Sequence, residues 1–151
     1  MQKNEQVYVT YIRTTPENLW AAITKPEFAR EYWGGCENVS DWKKGSKWQH
    51  ARGRDDKRDI MVVGEVLESI PPKRLVLSWI DADNASDSSR LTFEIEQVDN
   101  IVCLTVKHGD FKPGAEMESR VAGGWPRVLS SMKSFLETGK PLEIFSRKSC
   151  G

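Results

Sequence analysis

The sequence predicts an α+β fold in which a curved antiparallel β-sheet receives a long C-terminal helix on its concave face. Between residues 6 and 109, runs of alternating side chains recur with connections too short for parallel crossovers. Further on, Trp125, Val128, Leu129, Met132, Phe135 and Leu136 recur at helical spacing and draw one broad apolar stripe. An apolar sheet face and an apolar helix stripe satisfy each other by packing together.

The elements follow in order. Gln6 to Thr14 alternates, with Val7, Val9 and Tyr11 on one side and Tyr8, Thr10 and Ile12 on the other, the period of a strand. Thr15 before Pro16 is an N-cap signal, because its hydroxyl can accept an orphan amide and Pro at the first helical position loses nothing. Leu19, Trp20 and Ile23 then mark a short helix to about Thr24, Pro26 opens a second through Tyr32, and Gly34-Gly35 stops it. Trp42 to Gly53 reads as strand, and the charged run 54–59 (RDDKRD) as a solvated hairpin end.

Four more strands are expected: Ile60 to Ile70, Leu75 to Ile80, Ser89 to Val98 and Ile101 to Gly109. The rigid Pro71-Pro72 corner joins the first two, the polar stretch Asp81 to Ser88 reads as a loop, and Asp99-Asn100 as a tight turn. Leu91, Phe93 and Ile95 share one strand face; Val102, Leu104, Val106 and His108 share another. In the C-terminal helix, Gly123-Gly124 reads as punctuation, Pro126 as a first turn or a kink, and Gly139 and Pro141 as stops.

The chain has 151 residues, the size of one domain, assigned to residues 1–140 with a loosely held tail at 141–151. Lys plus Arg and Asp plus Glu each number 22, a balance that argues against nucleic-acid binding and against attachment to anionic membranes. No apolar run approaches the roughly 20 residues of a membrane span, and residues 1–6 lack the apolar centre of a secretion signal. Cys36, Cys103 and Cys150 are widely spaced and outside any Cys-x-x-Cys pattern, so free thiols in a reducing cytoplasm are expected.

Five segments carry a family resemblance: 15–28 (TPENLWAAITKPEF), 32–34 (YWG), 64–79 (GEVLESIPPKRLVLSW), 104–109 (LTVKHG) and 124–136 (GWPRVLSSMKSFL). In this order the chain resembles the family of activators of heat-shock-protein-90 ATPase, within the START-like (SRPBCC) superfamily. The resemblance spans about residues 6 to 140 and rests on order and spacing rather than on one motif. It implies the helix-grip fold, with an apolar cavity between sheet and C-terminal helix. Superfamily members include lipid carriers, polyketide cyclases and co-chaperones, so the fold raises the prospect of a pocket without fixing the chemistry.

With that fold, Trp33, Trp48, Trp79 and Trp125 fall near the expected cavity, where a tryptophan is either core or a stacking face with an indole donor. The expected ligand-binding set is Trp33, Trp48, Leu77, Trp79, Phe93, Leu104, His108, Trp125, Leu129 and Met132. Trp20 reads as helix-to-sheet packing and Trp42 as a loop or edge residue. His108 ends an inward face near a cavity mouth, either as a satisfied structural histidine or as a ligand contact or acid–base group. His50 shares a face with Trp48 and Arg52, as a polar rim or on an exposed hairpin.

No metal site, phosphate loop, nucleophile elbow, cofactor motif or catalytic carboxylate pair is visible. The expected activity is binding of a small hydrophobic, aromatic or lipid-like molecule. The alternatives are a co-chaperone acting on a heat-shock-protein-90-type ATPase, with a chaperone as partner, or a cyclase- or hydrolase-like enzyme using His108 with a tyrosine or arginine. Both monomer and homodimer stay open.

Overall fold

The computed structural model describes residues 5–53 and 58–143. The chain runs β1 (Gln6–Ile12), α1 (Pro16–Thr24), α2 (Pro26–Tyr32), β2 (Cys36–Ser40), β3 (Lys47–Arg52), β4 (Asp59–Ile70), β5 (Arg74–Asp81), β6 (Asn84–Val98), β7 (Ile101–Gly109) and α3 (Met117–Thr138). The seven strands form one sheet in the order β1-β7-β6-β5-β4-β3-β2, with every neighbouring pair antiparallel. This sheet curls as a half-barrel with α3 in its grip, the helix-grip arrangement. Helix α3 lies against β1 and β6 and meets α1 and α2.

Local chemistry sets the helix ends. The Thr15 hydroxyl accepts from the Asn18 amide at 3.1 Å, and Pro16 and Pro26 occupy the first turns of α1 and α2. Gly34 and Gly35 adopt φ of 61° and 83°, which few other residues tolerate, and turn the chain from α2 directly into β2. On β2, buried Glu37 accepts from Arg30 and from Arg58, joining α2, β2 and the approach to β4.

Several expectations need correction. Strand β2 falls between the expected helix and the expected strand over Trp42 to Gly53, of which only Lys47–Arg52 is strand. The polar stretch Asp81 to Ser88 is mostly ladder, with Ile80 opposite Ser88 and Asp81 opposite Asn84. Gly123, Gly124 and Pro126 all lie inside α3, so the glycines do not punctuate it and Pro126 does not start it. Leu142 exchanges hydrogen bonds with the buried Ser131 hydroxyl, so the tail is tied at its start. Cys103 is a free thiol, whereas Cys36 is disulfide-bonded, so the cysteines no longer argue for a reducing compartment. Residues 54–57 of the charged run and 144–151 of the tail lie outside the described residues, as does Cys150.

The core occupies the concave face. Leu75, Leu77 and Trp79 on β5, Leu91, Phe93 and Ile95 on β6, and Val102, Leu104 and Val106 on β7 are buried, as are Trp125, Val128, Leu129 and Met132 on α3. On β4, Val62 and Val66 are buried and Glu65 is exposed, which orients a strand whose two faces look similarly apolar in sequence. No described helix is long and apolar enough to cross a membrane.

Candidate functional site

All ten expected site residues are buried, each at most 6% exposed: strand alternation and one helix stripe set nine of them in the core between sheet and α3, and Trp33 joins them from the end of α2. Trp79 lies at the centre of an aromatic cluster. Its ring lies 5.4 Å from Trp48, 5.6 Å from His50, 5.3 Å from His108 and 5.9 Å from Trp125, centroid to centroid. Trp33, at the end of α2, closes one side at 4.8 Å from His50 and 5.7 Å from Trp125; Phe93 meets Trp125 edge-on at 6.1 Å. These are offset and edge-to-face spacings favoured by ring quadrupoles.

Gly64 allows the cluster to close. The Trp48 indole passes over it and donates to the Ser78 carbonyl at 2.8 Å. A Cβ at Gly64 would stand 2.0 Å from that oxygen and 2.5 Å from the indole nitrogen, so only glycine fits between them.

His108 is fully buried rather than placed at a mouth. The Trp125 indole N–H donates to His108 Nδ1 at 3.0 Å, and because an indole nitrogen can only donate, Nδ1 is unprotonated. The proton therefore sits on Nε2, which donates to the Ser89 hydroxyl at 2.8 Å, and Ser89 in turn donates to the Trp79 carbonyl at 3.0 Å. Burial pushes the His108 pKa down to about 3, keeping the ring neutral. Both nitrogens are engaged, by serine and tryptophan rather than by a tyrosine or arginine.

His50 is buried as well, on neither a rim nor an exposed hairpin. The Asn38 amide nitrogen donates to the Ile23 carbonyl at 3.1 Å, which turns its oxygen toward His50 Nδ1 at 2.8 Å. His50 is therefore protonated on Nδ1, leaving Nε2 as an acceptor with no hydrogen-bond partner among the described residues. Its pKa is lowered to about 4 by desolvation.

Sequence reasoning missed three polar residues here. Ser89 continues the inward alternation of Leu91 and Phe93 and was readable from it. Asn38 sits on the unforeseen β2. Asp87, two positions before Ser89 on the same face, is 2% exposed. Its Oδ2 receives a contact of 3.5 Å from Arg120 of α3, while the same guanidinium nitrogen reaches Asp81 at 2.6 Å. Asp87 Oδ1 is enclosed and has no hydrogen-bond partner among the described residues. Trp42 is a loop residue as read, but its indole is pinned to the Thr24 carbonyl at 2.9 Å.

A separate concavity of about 620 Å³ opens on the sheet face opposite α3, lined by Lys47, Gln49, Val63, Glu65, Leu67, Ser78 and Ile80 among others. Among the described residues, no group of three or more His, Cys, Asp or Glu is arranged to hold a metal ion.

Comparison with known proteins gives a consistent picture. The family model described as activator of Hsp90 ATPase homolog 1-like protein matches residues 13–137. No curated protein matches the chain significantly. Among solved structures, a Mesorhizobium loti protein is 23% identical, with a TM-score of 0.72 over 88% of this chain and 96% of its own. An HSP90 activator from Plasmodium falciparum is 22% identical, with a TM-score of 0.71 over 87% and 95%. The Aha1 dimer from Colwellia psychrerythraea is 19% identical, with a TM-score of 0.67 over 91% and 98%. At these identities the structures show a shared fold.

Proposed function

The chain belongs to the activator of Hsp90 ATPase homolog 1-like family, and from that premise we propose that its concave face binds a small hydrophobic molecule, aromatic or lipid-like, between the sheet and α3. The observation that carries this reading is the ring cluster around Trp79 on the concave face. Beyond it on β6, Asp87 Oδ1 is enclosed with no hydrogen-bond partner among the described residues, and a core pairs nearly all of its buried polar atoms because each unmade hydrogen bond costs about 1–3 kcal/mol. Affinity comes from apolar burial against Trp33, Trp48, Leu77, Trp79, Phe93, Leu104, Trp125, Leu129 and Met132, with His50 orienting the ligand and His108 holding the wall rigid. Tryptophan-fluorescence titration against a panel of aromatic and lipid ligands tests it. Saturable quenching by one class supports the reading, and no response at high micromolar concentration removes it.

A second reading, stimulation of a heat-shock-protein-90-type ATPase, is supported by the family and by the surface. Val7, Val9 and Tyr11 on β1, at the sheet edge, are 51–54% exposed on one face. The companion assay is the ATPase rate of the host chaperone with and without this protein; an unchanged rate and no binding remove this reading.

A further inference from the structure

We propose that Asp87 is the polar anchor of the concave-face site, and that its ligand carries an ammonium or similarly protonated nitrogen on an apolar body; this rests on the ligand-binding reading above. Asp87 is an unusual carboxylate. It is 2% exposed, Oδ1 has no hydrogen-bond partner among the described residues, and the Arg120 contact to Oδ2 is long because that nitrogen is held at 2.6 Å by Asp81. A buried carboxylate is normally paired on both oxygens, since an isolated one loses its hydration without return.

Its position points to a ligand. Alternation along β6 sets Asp87, Ser89, Leu91 and Phe93 on the concave face. Asp87 is thus one same-face step, about 7 Å, from Ser89, which joins His108 to the Trp79 carbonyl. It also faces the first turns of α3, where Met117 accepts from the Trp79 indole at 3.2 Å.

The polarity of the unpaired oxygen selects the ligand. Asp87 Oδ1 is an acceptor. A carboxylate or phosphate ligand offers it no donor and is repelled by Asp87. A protonated amine supplies several donors, offsets the buried charge and gains from the tryptophan faces beside it. A bare divalent cation fits poorly, because it needs more oxygen ligands than Asp87 and a neutral imidazole provide.

The test is calorimetric titration of the full chain with three phenylalkyl probes that differ in charge: 2-phenylethylammonium, 3-phenylpropanoate and propylbenzene. Binding of the ammonium at least tenfold tighter than the propanoate is expected, with Asp87→Asn removing that preference. Asp87→Ser serves equally if the asparagine variant fails to fold, and the charge preference of the unmodified chain needs no variant. Equal binding of the two ions, or a preference that survives loss of the carboxylate, overturns the proposal. So does a crystal structure in which a water fills Oδ1 and the ammonium does not displace it. Propylbenzene binding without ammonium preference leaves the hydrophobic-ligand reading standing; no binding of any probe overturns both.

Discussion

The Trp125 indole donates a hydrogen bond to His108 Nδ1 at 3.0 Å, fixing the middle of α3 to the end of β7 and choosing the histidine tautomer. Trp125→Phe keeps an aromatic ring but strands a buried acceptor, at a cost of about 1–3 kcal/mol for the unpaired nitrogen alone. Urea denaturation measures the loss. The ¹⁵N spectrum of the unmodified protein is expected to show His108 protonated on Nε2.

Two glycines are expected to respond in opposite senses. Gly64→Ala drives a methyl into the Ser78 carbonyl and the Trp48 indole, destabilising by about 1–3 kcal/mol as overpacking does. Gly123→Ala meets nothing within 4 Å inside α3 and is expected to stabilise by about 0.5–1 kcal/mol. Melting curves of both variants decide.

Acid is expected to destabilise the fold through its two histidines. Both have folded pKa values, about 4 for His50 and about 3 for His108, below the ordinary 6.5. The unfolded chain therefore binds protons first as pH falls. The stability they contribute is complete above about pH 6.5 and is lost progressively toward pH 4 and 3, at up to about 1.4 kcal/mol per pH unit for each. Stability measured from pH 7 to 4 checks this, and His50→Gln is expected to flatten the slope.

The exposed face of β1 separates the two functional readings. Val9→Lys with Tyr11→Lys changes side chains about half open to solvent, so stability is expected to move by less than about 0.5 kcal/mol. Under the chaperone reading the double variant loses ATPase stimulation; under the ligand reading it binds small molecules unchanged. Parallel assays of the one variant give the answer.

The fold was legible where the alternation is strict. Leu91, Phe93 and Ile95, with Val102, Leu104, Val106 and His108, announce their inward faces without help from the rest of the chain. Strand β2 was not legible because its buried Glu37 and Asn38 look like surface residues until Arg30, Arg58 and His50 reach them. The stretch 81–88 misled for a related reason: polar composition suggests a loop, while the ladder to β5 is made by backbone groups that composition does not report. Gly124 and Pro126 violate helix propensity inside α3, where buried Gly124, Trp125, Val128 and Leu129 show tertiary packing overriding it. The site was half visible. Its aromatic members follow from periodicity, but the engagement of both His108 nitrogens and the vacancy on Asp87 arise between elements distant in sequence.

The most direct test of the ligand-binding account is the ¹⁵N–¹H indole spectrum of the six tryptophans during titration with the aromatic and lipid panel. Saturable shifts at Trp79 and Trp125, with Trp42 unmoved, are the predicted result. Indole signals of the cluster that stay fixed to high micromolar concentration for every compound would contradict it.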